Sequence, residues 1–173
     1  MKTIVIYNSQ TGFTKQYAQW IAQELQCDSI SLQRINEIAL SEFDTIIFGS
    51  WCHAGRIKKL NWVFDELKKD ANKNYIVFAV GASPMNSPDV EKTMEQNIPK
   101  NSIVKGFYFQ GGLNYEKMNL SSRAMMKLFS SMLKKKKDAT ESEKKMAEMV
   151  SRSYDISDKR FIVPLLRYVH SLK

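Results

Sequence analysis

The chain has 173 residues, of which 43% are hydrophobic and 25% are charged, and its formal net charge is +8 at pH 7. This length suits one domain with a sizeable core, and two cysteines are too few for a disulfide-stabilised scaffold. Residues 4–7 are too short an apolar stretch for a secretory signal, and no apolar run approaches the roughly 20 residues of a membrane span, so we expect a cytoplasmic protein.

Short apolar runs alternate with amphipathic stretches of helical length along the chain. Five runs are predicted as strands: residues 3–7, 29–32, 45–49, 75–80 and 104–110. They are rich in Ile, Val, Phe and Tyr, as is typical of parallel strands buried on both faces. Apolar residues between them fall on helical stripes, first Phe13, Tyr17, Trp20, Ile21 and Leu25, then Ile57, Leu60, Phe64 and Leu67. The alternation predicts an α/β fold with a doubly wound parallel sheet and helices on both faces.

The turn after the first strand has the composition of a phosphate-binding loop. It reads Ser9, Gln10, Thr11, Gly12, Phe13 and Thr14. Hydroxyl groups can donate to a phosphate, a glycine lets backbone amides come close, and the following helix adds its unpaired N–H groups. The lysine of a Walker loop and the three glycines of a dinucleotide loop are missing here. The alternative is an ordinary polar turn with a helix cap.

The Ser-x-Thr-Gly-x-Thr spacing resembles the phosphate loop of the flavodoxin family. The resemblance covers residues 1 to about 115. It implies a bound flavin mononucleotide (FMN) with its phosphate in this loop. Five strands then suit a flavodoxin-type sheet of order 2-1-3-4-5, in which ligands lie outside the carboxyl ends of the strands.

The loop after the third strand has residues suited to a flavin ring. They are Ser50, Trp51, Cys52, His53, Ala54, Gly55 and Arg56. Trp51 either forms an aromatic wall or packs on the surface, and Gly55 would let a peptide group approach the ring. His53 is either a solvent-facing side chain or an acid–base group, and Arg56 either favours the anionic reduced flavin or sits in the first turn of a helix. Cys52 lacks a CxxC partner, so we expect no thiol redox role.

The loop after the fourth strand is small and rigid. Ala82, Ser83, Pro84 and Met85 would allow backbone hydrogen bonds to the pyrimidine edge of the ring. The alternative is a strand-to-helix turn with Ser87 as N-cap and Pro88 at the first helical position.

Two later segments resemble one branch of flavodoxin-domain proteins, which includes the menaquinone-dependent protoporphyrinogen IX dehydrogenases. The segments are residues 109–115 (Phe-Gln-Gly-Gly-Leu-Asn-Tyr) and 123–127 (Arg-Ala-Met-Met-Lys). The resemblance implies a single domain over residues 1–173 with a basic helical insertion at about 116–155. It also implies an FMN-dependent oxidation with a small-molecule or quinone partner. Arg56, Lys58, Lys59 or Arg123 would bind the carboxylates of a porphyrinogen. An electron carrier, or an interaction module without a working flavin site, remain alternatives.

The positive charge is concentrated in the C-terminal part. Residues 1–99 carry 10 Lys/Arg and 11 Asp/Glu, whereas residues 100–173 carry 16 and 7. Within residues 118–137 a helical wheel shows a narrow polar stripe and a broad apolar face. The stripe is Arg123, Lys127, Ser130 and Lys134, and the face is Leu120, Ala124, Met125, Met126, Leu128, Phe129, Met132 and Leu133. This pattern is a candidate for peripheral contact with the inner face of an anionic membrane, and a cover over the flavin pocket and plain packing on the sheet stay equally open. Without a recognised motif, we expect no nucleic-acid binding.

The last part of the chain predicts two helices. Residues 138–150 form a polar hinge and a short amphipathic helix with Met146, Met149 and Val150 inward. Residues 158–172 form the final helix of the fold, through Phe161, Ile162, Leu165, Leu166 and Val169. Because Pro164 lies inside this segment, the last helix is kinked or starts late.

Overall fold

The structure is a computed structural model that describes residues 1–135 and 140–172, except for the side chains of residues 142 and 143. The chain divides into two compact units. The sheet unit is Met1–Gly111 together with the chain from Ser157 onward, and the helical unit is Gly112–Ile156. In chain order the strands are β1 Thr3–Asn8, β2 Asp28–Ser31, β3 Thr45–His53, β4 Arg56–Ile57, β5 Asn74–Gly81, β6 Lys105–Gln110, β7 Gly112–Leu113 and β8 Tyr154–Asp155. The α-helices are α1 Phe13–Leu25, α2 Leu60–Lys69, α3 Pro88–Asn97, α4 Leu120–Lys135, α5 Glu141–Met149 and α6 Val163–Ser171.

The centre of the sheet unit is a parallel sheet in the order β2-β1-β3-β5-β6. The two-residue strand β4 pairs antiparallel with the end of β3. With β4 left aside, the five long strands have the order 2-1-3-4-5, so the predicted α/β fold with a doubly wound parallel sheet is confirmed.

Both faces of the sheet are covered by helices. On one face, residues such as Ile4, Phe48 and Val77 belong to a buried cluster with Leu60 and Val63 of α2 and with residues of α3. On the other face, Val5, Ile47 and Phe78 cluster with residues of α1 and α6. Burying a large apolar side chain contributes about 1.5–3 kcal/mol, so the two-sided core accounts for the continuous apolar character of β1, β3 and β5.

In the helical unit, the two short strands β7 and β8 pair antiparallel. A Cβ atom on Gly112 would lie 2.0 Å from the carbonyl oxygen of Tyr154, so this pairing requires glycine. Helix α4 begins after Asn119, whose side-chain oxygen accepts a hydrogen bond from the amide of Ser122 at 2.8 Å. None of the helices within residues 1–135 and 140–172 is both long enough and apolar enough to cross a bilayer.

Several predicted boundaries differ from the structure. Ile57 lies in β4 and not on the helical stripe, because α2 begins only at Leu60, after Lys59 with a positive φ of 61°. Strand β3 extends to His53, beyond the predicted end at residue 49. Helix α6 begins at Val163 with Pro164 in its first turn, which confirms the late start.

The predicted inward face of α5 is wrong in part. Met146 is exposed, whereas Ala147 and Val150 are buried. Helix α4 is described to Lys135, so residues 136–137 of the predicted basic segment lie outside the described residues.

Candidate functional site

The three predicted binding loops follow neighbouring strands. Asn8 at the end of β1 is in register with Ser50 of β3, and Trp51 of β3 is in register with Val80 of β5. Because these strands are parallel, their loops adjoin at the carboxyl edge of the sheet, where ligands of such folds bind. Gly111, which follows β6, belongs to the same edge: a Cβ there would lie 2.9 Å from Val80 and 3.3 Å from Phe13.

The first loop forms a turn with Gly12 at its end. Gly12 is the N-cap of α1 and has φ 107° and ψ −28°, a backbone conformation that residues with a side chain rarely adopt. Its amide donates to the hydroxyl oxygen of Ser9 at 3.2 Å, and its carbonyl accepts from the amide of Gln16 at 3.0 Å. Gly12 has no side chain of its own with which to bond the amides of the first turn of α1. The helix N-terminus therefore keeps donors available for an anion.

The hydroxyl groups of this loop differ in accessibility. Ser9, Gln10, Thr11 and Phe13 are half-buried. The side chain of Thr14 is only 1% exposed, so its hydroxyl lies beneath the surface of the loop. Ser9 accepts from Gly12, and because a hydroxyl group also has a donor, its proton remains for a phosphate oxygen.

Ser50, predicted as a ring contact, is fully buried in the sheet. Its hydroxyl oxygen accepts a hydrogen bond from the side-chain amide of Asn8 at 3.0 Å. This bond joins the start of the first loop to β3. The side chain of Ser50 thus supports the first loop from within the sheet and is not part of the accessible surface.

The second loop is a tight β-hairpin. His53 and Arg56 are paired across it, and the two connecting residues, Ala54 and Gly55, have positive φ angles of 48° and 72°. Two successive positive φ angles are the pattern of a type I′ turn, which connects twisted strands well. Arg56 is exposed and lies in β4, so its alternative placement in the first turn of a helix is wrong.

Asn97, the last residue of α3, holds this hairpin in place. Its side-chain nitrogen donates to the carbonyl of Gly55 at 2.7 Å and to the carbonyl of Thr93 at 2.7 Å. Its side-chain oxygen accepts from the amide of Ile57 at 2.9 Å. Sequence analysis missed Asn97, because 42 residues separate it from Gly55 and no local pattern connects them.

Trp51 is half-buried at the end of β3, with its indole beside two polar side chains. The His53 ring meets it edge-on with centroids 5.6 Å apart, and the ammonium of Lys58 lies over it at 5.8 Å from the centroid.

Burial raises the pKa of the neighbouring Cys52 thiol to about 12, which keeps this thiol protonated at neutral pH.

The third loop is fixed from the edge strand. The hydroxyl of Tyr108 in β6 donates to the carbonyl of Ser83 at 3.0 Å. A Cβ on Gly81 would lie 2.6 Å from the same hydroxyl, so glycine allows this close approach. Ser87 caps α3 and Pro88 opens it, which confirms the strand-to-helix turn. Ala82, Ser83 and Pro84 are half-buried, and Met85 is 39% exposed.

The fold defines a doubly wound α/β protein, and the three loops form a candidate ligand site at the carboxyl edge of its sheet. Comparison with known proteins agrees with this class. The family described as Flavodoxin domain matches residues 4–140, so the chain belongs to this family.

Individual similar proteins come from several bacteria. The flavodoxin-like domain-containing protein BilS of Clostridioides difficile strain CD3 is 28% identical over 136 residues, which are 74% of this chain and 76% of that protein. Among solved structures, the Trp repressor binding protein of Bacillus subtilis is 19% identical, with 65% of this chain and 85% of that chain covered and a TM-score of 0.46. A flavodoxin, WrbA-like protein of Agrobacterium tumefaciens is 17% identical, with 87% and 97% covered and a TM-score of 0.42.

Proposed function

We propose that this chain binds FMN at the carboxyl edge of its sheet and acts as a redox protein. The observation that carries the proposal is the geometry of Gly12, a glycine with positive φ at the N-cap of a 13-residue helix. An anion at this position would meet the amides of the first helical turn and the positive end of the helix dipole. Membership of the flavodoxin domain family supports the same assignment.

The loops around this position fit the two chemical parts of FMN. Ser9, Thr11 and the first-turn amides offer uncharged donors to the phosphate. The hairpin at Trp51–Arg56 and the loop at Ala82–Met85 adjoin it on the neighbouring strands, where a ring attached to that phosphate would lie. When bound, FMN supplies the electron-transfer chemistry, and the protein contributes position and electrostatics.

The finer assignment is an FMN-dependent oxidoreductase of the protoporphyrinogen-dehydrogenase type or an electron carrier, with a small-molecule or quinone partner. Arg56, Lys58 and Lys59 are exposed along the hairpin and would attract the carboxylates of such a substrate. Turnover of protoporphyrinogen with a quinone acceptor supports the enzyme. If the FMN-loaded protein is reduced and reoxidised by partners without such turnover, it acts as a carrier.

FMN titration, followed by quenching of flavin fluorescence, tests the phosphate assignment. Thr11→Ala removes one hydroxyl donor to a charged group and should weaken binding about 10- to 100-fold. Gly12→Val should weaken it more, because valine does not adopt a φ of 107° without strain. Ser41→Ala, at an exposed position outside the three candidate loops, is the control and should bind FMN like the parent.

The outcomes separate the proposal from its main alternative. Equal FMN affinity in the parent, Thr11→Ala and Gly12→Val would contradict the phosphate assignment. A colourless parent protein that does not take up added FMN would favour an interaction module without a working flavin site.

We also propose that α4 makes peripheral contact with an anionic membrane. The side chains of Leu128, Phe129 and Met132 are 63%, 44% and 64% exposed, and Lys134 and Lys135 follow them on the same helix. A helix with an exposed apolar side and adjacent cations has the features of an interfacial helix.

Co-sedimentation with vesicles of phosphatidylglycerol and phosphatidylcholine tests this contact. The double variant Leu128→Ser/Met132→Ser should sediment with the vesicles much less than the parent. Ile103→Ser, which removes a similarly exposed apolar side chain from the sheet unit, should behave like the parent. Equal sedimentation of the double variant and the parent would refute the contact.

A further inference from the structure

The helical unit contains two adjoining hollows that the proposed flavin site does not use. The first has a volume of about 370 Å³, and its lining includes Arg123, Lys127 and Arg152. The second has a volume of about 310 Å³, and its lining includes Lys134 and Lys135. Tyr115, Lys127 and Ser151 line both hollows, so the two adjoin, and together they are called the groove.

The charge of this groove is strongly unbalanced. Five cationic side chains line it, against the single carboxylate of Glu116. That carboxylate accepts a hydrogen bond from the hydroxyl of Ser153 at 2.7 Å, and this bond lowers the pKa of Glu116. Like charges gathered in a concave surface repel one another, and a bound anion would relieve that repulsion.

Arg123 gives the groove a fixed donor. One of its terminal nitrogens donates to the carbonyl oxygens of Tyr115 and Glu116, which orients the guanidinium group. Its Nε atom is buried, and within the described residues it has no hydrogen-bond partner. A buried donor without a partner destabilises the folded protein, and such a group often marks an ion or a water.

We propose that this groove is a binding site for an anion with two or more negative charges, which the cationic groups of Arg123, Lys127 and Arg152 bind. Phosphate and carboxylate groups both suit a guanidinium donor. The anion comes either from a soluble compound or from the headgroup of an anionic lipid. This site is separate from the proposed phosphate site at Gly12 and does not depend on FMN binding.

Calorimetric titration of the full-length protein with pyrophosphate tests the site at low ionic strength. Lys127→Met and Arg152→Met should each weaken pyrophosphate binding about tenfold, the effect of losing one charge-assisted contact. Arg123→Lys keeps the charge but removes the Nε donor, and it should also weaken binding. Lys145→Met removes an exposed charge from the same unit outside the groove and is the matched control.

The outcomes distinguish this site from non-specific attraction. Absence of pyrophosphate binding in the parent, or an equal loss in Lys145→Met and Lys127→Met, would overturn the proposal. FMN affinity should be unchanged in all four variants, so failure of either site is seen independently of the other. Circular dichroism of each variant identifies any loss of folding, and Lys127, whose side chain is exposed, keeps the test available if Arg123→Lys does not fold.

Vesicles identify the source of the anion. If the ligand is a lipid headgroup, pyrophosphate should compete with phosphatidylglycerol vesicles, and Lys127→Met should sediment with them less than Lys145→Met does. If the ligand is soluble, pyrophosphate binds while vesicle sedimentation is unaffected by Lys127→Met. Both results support the anion site.

Discussion

Replacing Asn97 by alanine should loosen the hairpin that carries Trp51. The substitution removes three hydrogen bonds of 2.7–2.9 Å, two of which tie the hairpin itself to α3. A typical hydrogen bond contributes about 0.5–1.5 kcal/mol net, and the amide of Ile57 loses its partner at a part-buried position. We therefore expect the free energy of unfolding to fall by about 2–3 kcal/mol.

Two further variants of this region test the role of the side-chain amide and of the turn conformation. Asn97→Asp keeps an acceptor for the amide of Ile57 but places a carboxylate oxygen opposite the carbonyls of Gly55 and Thr93, so it should cost at least as much as Asn97→Ala. Ala54→Gly relieves a positive φ of 48° at a non-glycine residue and should be neutral or stabilising. Gln96→Ala, at the exposed neighbouring position of α3, is the control.

Urea denaturation measures the stability of each variant, and hydrogen exchange of the Ile57 amide reports local opening of the hairpin. In Asn97→Ala this amide should exchange much faster than in Gln96→Ala. FMN affinity should fall as well, because the hairpin is the proposed wall of the ring site. A loss below about 1 kcal/mol, with unchanged exchange at Ile57, would refute the role of Asn97.

Three further predictions concern the core and the buried thiol. Gly49→Ala would place a Cβ 1.9 Å from the ring of Phe78 and should destabilise the protein by about 3 kcal/mol in urea denaturation, with partial recovery in the double variant with Phe78→Leu. Tyr17→Phe removes the hydroxyl that donates to the carbonyl of Gln110 at 2.5 Å, and should cost about 2 kcal/mol in the same assay; a neutral result would contradict this role. Burial raises the pKa of the Cys52 thiol to about 12. Its alkylation by iodoacetamide at pH 8 should therefore be at least about 100-fold slower in the folded protein than in urea, and equal rates in both states would contradict the burial of this thiol. The contribution of Cys52 to stability should fall as the pH rises above about 9 towards 12.

Sequence patterns were sufficient for the sheet because its signals are local. Residues such as Ile4, Ile47 and Ile76 belong to short apolar runs, and each run is buried on both faces by helices. The turn at Gly12 and the start of α1 could also be predicted, since the glycine, the hydroxyl residues and the first helical residues lie within six consecutive residues.

The hairpin after β3 could not be predicted from the same signals. Type I′ turns usually show Asn-Gly or Asp-Gly, whereas this one has Ala54 and Gly55. Ile57 also falls at helical spacing from Leu60, which favoured an earlier helix start. The turn is nevertheless formed, and the hydrogen bonds from Asn97 help to hold it although they join residues about 40 positions apart.

Helix α4 shows a second limit of sequence patterns. The wheel correctly separates a polar stripe from an apolar side, but it does not say which side the protein covers. In the structure Ser122 and Ser130 are buried, while Leu128 and Met132 are exposed. The polar side is thus turned towards the groove in the helical unit, and the apolar side is presented to the surroundings.

The three loop carbonyls at the carboxyl edge of the sheet unit share one kind of support. Asn97 bonds the carbonyl of Gly55, Tyr108 bonds that of Ser83, and the hydroxyl of Tyr17 bonds that of Gln110. Each bond occupies a carbonyl oxygen at this edge of the sheet, and each donor comes from a different element of the fold. These three bonds therefore hold the loops of the proposed flavin site in place from α1, α3 and β6.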